Sequence, residues 1–279
     1  MHDDDGIGTV GETEGTTAMP QDQPRTYTDS LALLASQGVR YSTVIDIGCA
    51  EGYFFVSHYC RGLFPDSVPV MIDANPCYAP VLQEIQETVG GHYVIAAASD
   101  TAGELRFTQG AHPYWSSLRP PSDPYWQRVN NLAQHEETVP AIRLDDLASS
   151  LGLKPPYLIK LDVQGAEVQA LRGAPTVLAE TDVVIVEADI ADFRAIDAQL
   201  NEAGFDLYDL TTLVWPEGQA LGWFYPVYLN RRLNHLREKQ FWKDGQNDAM
   251  IGMQTDRQQQ IRAFYDDVLP KIRAFKKGV

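Results

Sequence analysis

Acidic side chains recur in this chain where a short apolar run gives way to a turn. They are Asp46 in Thr43–Tyr53 (TVIDIGCAEGY), Asp73 in Val68–Asp73 (VPVMID), Asp162 in YLIKLD and Glu187 in VVIVE. Carboxylates at the C-terminal edge of a parallel sheet are placed to take ribose hydroxyls, hold a cation or accept a proton. After Asp46, Gly48, Ala50 and Gly52 form a turn, GCAEG, whose backbone can pass close to a ligand. The turn is not the dinucleotide fingerprint, because pyrophosphate needs the GxGxxG arrangement with free helix amides, and Glu51 would repel it. A zwitterion or cation fits better, and S-adenosylmethionine carries sulfonium, amino and carboxylate groups together. The competing reading of GCAEG alone is a tight strand-to-helix turn with no ligand.

Asp73, followed by Ala74, stands where an acid at the end of a second strand takes ribose hydroxyls. Its alternative is a helix N-cap, although Asn75–Pro76 supplies a cap of its own. His92–Ala98 (HYVIAAA) reads as a third strand, and the turn from Ser99 to Gly103 places Ala98 and Ser99 at the adenine edge.

The elements needed to position these residues alternate along the chain. Strands are expected near 43–47, 68–73, 92–98, 157–162, 182–187, 205–211 and 223–229. Helices are expected near 51–62, 77–89, 165–179 and 192–203, after a short helical pattern at Leu31–Ala35. Alternation implies a parallel sheet, and the turn residues between the last two strands imply a terminal antiparallel hairpin. The expected fold is therefore α/β, a Rossmann-like class I methyltransferase arrangement of seven mostly parallel strands. ELRF (104–107) and ETVPAIR (137–143) read as short strands bracketing an insertion at 109–136, which carries Tyr114, Trp115, Tyr125 and Trp126. A loop of that length in a compact domain is functional or disordered, and its aromatics favour a lid over an acceptor.

Three domains follow: an acidic tail over 1–24, read as disordered, a catalytic domain over 25–231, and a helical extension over 232–279. In the extension, 240–243, 256–264 and 265–275 give amphipathic patterns, with Pro270 expected to interrupt or kink them. Such an appendage covers a site or pairs two subunits as a homodimer, and either use predicts lower activity on truncation at about 232. The 279 residues carry a formal net charge of −16. That charge argues against nucleic acid and anionic membranes as partners, since counterion displacement needs clustered Lys and Arg. Neither an apolar span nor a secretory signal is visible, which gives a cytoplasmic expectation. Cys49, Cys60 and Cys77 lack metal-ligand spacing and read as reduced thiols, with Cys49 a small buried filler.

Taken together, VIDIGCAEGY, MIDANP, AAASDTAGELRF, IRLDDL, YLIKLDVQGAEVQALRGAPTVL and VVIVEAD resemble the FkbM family of S-adenosylmethionine-dependent O-methyltransferases, over roughly Val44 to Arg231. The most specific segment is IKLDVQGAE, whose usual form is IKIDVEGxE, so Gln164 stands where the family has Glu. IDANP likewise replaces the family's FEPNP. The resemblance implies methylation of a hydroxyl on a sugar, a glycosylated metabolite or a polyketide-type product.

Methyl transfer from a sulfonium is an in-line displacement, so positioning leads and proton removal assists. Asp162 is the first candidate for the base, with Lys160 two positions back on the same face of the strand; the alternative is a buried Lys160–Asp162 pair acting as structural glue. Glu187 is a second carboxylate at that rim, placed for substrate, and Asp162 with Glu187 could also hold a divalent cation, a weaker expectation. His112, Tyr114, Trp115 and Ser116 in the insertion are the acceptor candidates, His112 as a second base and Trp115 as a stacking surface. The plain alternatives are an exposed loop histidine and a tryptophan that packs the loop down. Histidines 58, 92 and 235 read as structural. Rival functions are a nucleotide-dependent oxidoreductase and a noncatalytic cofactor-binding scaffold.

Overall fold

The computed structural model describes residues 25–128, 132–216, 220–237 and 246–277. The acidic tail at 1–24 and the pattern at 240–243 lie outside the described residues. Two compact units divide after Arg231.

In the first unit, three strands form the sheet centre: β1 (Thr43–Ile47), β2 (Val68–Asp73) and β7 (Tyr157–Leu161). All five residues of β1 and of β7 are buried, as expected of parallel strands covered on both faces. β3 (His92–Ile95) flanks β2, and β8 (Thr181–Val186) flanks β7. β10 (Phe205–Val214) and β11 (Trp223–Asn230) close the sheet as an antiparallel hairpin, giving the order β10-β11-β8-β7-β1-β2-β3. A two-residue strand, β9 (Ala188–Asp189), pairs with β11 off this path. This is the expected Rossmann-like class I methyltransferase sheet. Ile45, Ile47, Ile72, Ile159, Val184 and Val186 belong to one buried apolar cluster, which fixes the strand ends relative to one another.

The helices are α1 (Tyr27–Ser36), α2 (Tyr53–Cys60), α3 (Ala79–Val89), α4 (Tyr125–Arg128), α5 (Leu144–Leu151), α6 (Glu167–Arg172), α7 (Pro175–Ala179) and α8 (Phe193–Glu202). The expected helix at 165–179 is thus two. The break falls at Gly173, where a Cβ would overlap the Ser99 carbonyl, so this position must pass close to the neighbouring strand. The expected third strand is also divided. After the Ala96 N–H bonds to the Asp73 carbonyl, the chain leaves the main sheet, and β4 (Ala97–Ala98) pairs in parallel with β6 (Ala133–Ile142). β5 (Gly103–Gly110) completes a three-stranded second sheet by antiparallel pairing with β6. Both ends of the anticipated insertion are therefore strand, which leaves 111–132 as the connecting segment.

In the second unit, α9 (Gln246–Lys277) runs as one helix through Pro270. The expected interruption is absent: proline removes the N–H that would bond to the Asp266 carbonyl, and this stretch is exposed, so water can serve that carbonyl. Among the described residues no helix is long and apolar enough to cross a membrane.

Candidate active site

The turn after β1 is shaped first by protein packing. Gly48 has φ +71°, and a Cβ there would overlap the Asp162 carbonyl just beyond β7. Gly52, also at positive φ, caps α2, and a Cβ would press on Ile85 and Met71. The two glycines therefore let strands and helices approach each other. Gly48 lines the cavity described below, whereas Gly52 does not.

Asp46 and Lys160 are direct register partners on β1 and β7. Register places their side chains together, and the Lys160 ammonium lies 3.4 Å from Asp46, 3.3 Å from Asp162 and 3.0 Å from the Gly48 carbonyl. Burial alone would lower the ammonium's pKa, but the Asp162 and Asp46 carboxylates outweigh it and raise it. Asp46 is 1% exposed and does not line the cavity, which corrects the expectation that it meets a ligand. Burial pushes its carboxyl above the usual range despite Lys160. Lys160 is a brace between two strand ends: permanently charged, it has no lone pair with which to take a proton from an acceptor.

A cavity of about 760 Å³ opens over the C-terminal ends of β1, β2, β7 and β8, within the range of small-molecule sites. At one end Asp73 accepts the Ala50 N–H and the Asn75 N–H, both at 2.8 Å. Asn75 caps the following turn through Cys77 N–H, so Asp73 is not needed as a cap there. A carboxylate offers about four lone-pair sites, and two backbone bonds leave room for ribose hydroxyls. Burial lifts the Asp73 carboxyl to about 6. The hydroxyl of Tyr78, a cavity residue only 7% exposed, is buried without a hydrogen-bond partner. Ile72, Ala97, Ala98, Phe107 and Leu118 supply an apolar wall, with Ala74 and Ala96 beside them. Ser99 does not line the cavity; its N–H bonds to the Ile142 carbonyl and its hydroxyl to Asp100. Cys49 is buried against Met71, Tyr78 and Leu82, with its thiol raised by burial.

At the other end, Asp162 and Glu187 come together with two residues that sequence reasoning missed as partners. The Gln164 amide donates to Asp162 at 3.0 Å and to Glu187 at 2.5 Å. The Tyr225 hydroxyl lies 3.0 Å from Asp162 and 3.4 Å from Glu187. Burial and the Asp162 charge push Glu187 well above the carboxylate range. Burial resists the Asp162 charge as well, but Lys160 and the hydrogen bonds from Glu187, Gln164 and Tyr225 prevail, so Asp162 is held low. The pair thus carries one proton, on Glu187, and one negative charge, on Asp162. The Gln164 amide occupies oxygens that a divalent cation would need. Among the described residues no group of three or more His, Cys, Asp or Glu side chains is arranged to hold a metal.

The insertion is tied to this end by several bonds. The Tyr125 hydroxyl donates to the Gln164 side chain at 2.6 Å, Ser117 donates to the Gln164 carbonyl at 2.7 Å, and Arg119 pairs with Asp192 at 2.5 Å. Tyr114 donates to Glu51 at 2.6 Å and stacks on Tyr78, so the segment also reaches the turn after β1. Tyr114, Trp115 and Ser116 line the cavity; His112 does not, and its exposed ring rests against Tyr114 and Trp115. The second-base expectation for His112 therefore fails on placement. Tyr27 of α1 lies tilted against the Tyr225 ring, centroids 5.2 Å apart. The only trace of these in the sequence was Gln164, inside the most specific segment. Nothing local marks Tyr27 or Tyr225, because their role arises from contacts across distant elements. His58, read as structural, is buried and bonds Phe54 and Thr28.

These features fit S-adenosylmethionine: an unpartnered buried hydroxyl and a half-buried acid beside an apolar wall suit an adenosine, and the anionic pair opposite suits a sulfonium. No curated protein matches the chain significantly. Among solved structures, an FkbM methyltransferase from Methylobacillus flagellatus is similar at 15% identity and TM-score 0.45, covering 74% of this chain and 48% of its own. The chain thus spans about half the length of that protein. Fibrillarin from Aeropyrum pernix with natively bound S-adenosyl-L-methionine is similar at 11% identity and TM-score 0.40, covering 71% and 74%. A Burkholderia thailandensis 1,6-didemethyltoxoflavin-N1-methyltransferase with bound S-adenosylhomocysteine follows at 14% and 0.36, covering 72% and 76%. The methyltransferase FkbM domain model matches residues 46–207, more than half of the sequence, and the chain belongs to that family.

Proposed function

We propose that this chain is an S-adenosylmethionine-dependent O-methyltransferase acting on a hydroxyl of a small acceptor, a sugar or glycosylated metabolite. The observation that carries the reading is a single cavity with Asp73 and an apolar wall at one end and the Asp162–Glu187 pair at the other. When bound, S-adenosylmethionine supplies a methyl carbon whose bond to sulfur breaks, its electron pair going to sulfur, as the acceptor oxygen bonds the carbon. Asp73 holds the ribose hydroxyls, Gly48 and Ala50 present backbone to the amino acid portion, and Ala74 and Ala98 flank the adenine. Asp162 accepts the hydroxyl proton, Glu187 and Gln164 fix its orientation, and Trp115 with Ser116 and Tyr114 borders the acceptor. Lys160 keeps Asp162 ionised, which is a positioning role. The −16 charge favours a small-molecule acceptor over nucleic acid or an anionic membrane, and a cytoplasmic setting belongs to the same proposal.

Calorimetric titration with S-adenosylhomocysteine, with and without Mg²⁺, tests the cofactor class. Micromolar binding supports the reading, and no binding in either condition sinks it. Asp162→Asn should then lower turnover while leaving that affinity nearly intact; loss of cofactor binding would remove Asp162 from the proton-accepting role.

A further inference from the structure

Glu51 lines the cavity from the GCAEG turn and takes no part in methyl transfer. The turn that carries it is rigid: the Ala50 N–H bonds to Asp73 and the Gly52 N–H to the Cys49 carbonyl, both at 2.8 Å. Ala50 stands at φ +46°, a left-handed conformation that is costly for a residue with a Cβ and persists only where the surrounding structure enforces it. Glu51 itself is exposed, and its carboxylate accepts the Tyr114 hydroxyl at 2.6 Å.

Tyr114 belongs to a short loop, residues 111–116, that leaves β5 and folds back onto it. The base of this loop is buried and paired. Ser117, 1% exposed, exchanges both backbone hydrogen bonds with Thr108, at 2.8 and 3.0 Å, and the Ala111 N–H bonds to the Leu132 carbonyl at 2.9 Å. By contrast, His112, Pro113 and Tyr114 at the tip are exposed, and Tyr114 reaches Glu51 with its ring nearly parallel to Tyr78, centres 6.4 Å apart. A tip that is exposed on a buried base belongs to the part of a fold that opens at least cost. Tyr114 and Trp115 line the same cavity as Asp73 and Tyr78. Since Asp73 holds the N–H of Ala50, the residue before Glu51, the Tyr114–Glu51 bond closes beside the place given to the ribose. The bond joins two protein groups, so it forms with or without a ligand beneath it.

We propose that residues 111–116 are a flap over bound S-adenosylmethionine, latched by Tyr114 onto Glu51, and that these two residues set the rate of cofactor exchange. Entry of S-adenosylmethionine and exit of S-adenosylhomocysteine then share one step, the opening of the latch. This rests on the methyltransferase reading and gives the acid of the GCAEG turn its task.

Surface plasmon resonance of S-adenosylhomocysteine over the immobilised full chain at pH 7.5 tests it. Glu51→Ala and Tyr114→Phe, which keeps the ring beside Tyr78, should each speed association and dissociation together by roughly tenfold, near what the weaker hydrogen bonds to charged groups contribute. Kd, the ratio of the two rates, should stay nearly constant. Glu51→Gln keeps an acceptor oxygen and should fall between wild type and Glu51→Ala. The double variant should exchange no faster than either single one, because both substitutions remove the same bond. Rates unchanged in both single variants overturn the latch. Dissociation that speeds alone would make the two residues ordinary cofactor contacts, and full additivity in the double variant would make them independent; either result also overturns it. A wild-type chain that does not bind S-adenosylhomocysteine defeats the methyltransferase reading instead, and the role of the flap falls with it.

Discussion

Asp73 carries the clearest consequence at the residue scale, because burial brings its carboxyl to about 6. Hydroxyl donors are served by the ionised form, so affinity for S-adenosylhomocysteine should fall as pH drops from 7.5 to 5, with a midpoint near 6. Asp73→Asn should remove that dependence and weaken binding at pH 7.5 by about 1–3 kcal/mol, the usual cost of losing a charged hydrogen-bond partner. A midpoint unchanged in the variant would exclude Asp73 as its source. Gln164 gives the second test: Gln164→Glu replaces a shared donor with a third carboxyl against Asp162 and Glu187. Stability at pH 8 should drop by about 3–5 kcal/mol, as when a buried charge network is broken, and recover toward pH 5 as the added carboxyl protonates. A melting curve at the two pH values decides it. Asp73, Asp162 and Glu187 were legible as cavity residues because each directly follows or ends an apolar run. Asp46 satisfied the same pattern and went astray, since only strand register reveals that Lys160 lies beside it. Tyr225 had no signal at all: the Asp162 partner it reaches is 63 positions away.

The main-sheet strands could be read at the element scale because burial on both faces demands continuous apolar runs, which loops do not supply. The division of HYVIAAA was hidden, since three alanines suit either sheet and the departure depends on pairing with β6. The insertion was legible through its aromatics, although their roles divide. Tyr125 and Trp126 are buried and hold the segment down, Tyr125 also reaching the cavity, while the less buried Tyr114 and Trp115 line it. Trp126 is 3% exposed, stands edge-on to Tyr125 and donates to the Pro120 carbonyl at 2.9 Å. Trp126→Ala removes a packing core worth about 3–5 kcal/mol in a rigid site. Here the loss should concentrate in 111–132, since among its described residues Ser117 and Tyr125 are the other buried side chains that anchor it. Limited proteolysis should nick the variant there well before the main sheet melts. A fall in global melting with no new cleavage would show instead that the segment unfolds together with the sheet.

The family match at 46–207, the sheet and the cavity all lie before Arg231 at the scale of the whole molecule. For the extension we propose self-association, because Ile261, Phe264, Tyr265 and Leu269 stand exposed on α9 at helical spacing. Light scattering should show a dimer for the full chain and a monomer for a chain ending at Arg231, with cofactor affinity retained; a monomer in both cases refutes this. The stability of the fold depends on pH. Glu167 is 4% exposed, accepts the Val163 and Gly165 N–H groups, and is nevertheless pushed by burial to about 7. A carboxyl whose pKa is higher folded than unfolded binds more protons in the folded state, so it supports folding below its unfolded pKa. That support is lost as pH rises through about 7, with Asp73 acting the same way through about 6. Glu167 alone is worth on the order of 3 kcal/mol across this window. Self-repulsion in a chain with pI near 4.7 has the same sign, easing as pH falls toward that value. The ligand-free protein should therefore melt higher at pH 5.5 than at pH 8. Glu167→Gln should flatten part of that slope, because Gln keeps an oxygen for the two backbone donors and has no charge to bury. A slope left intact in the variant would assign the effect to Asp73 and net charge and clear Glu167 of any part in it.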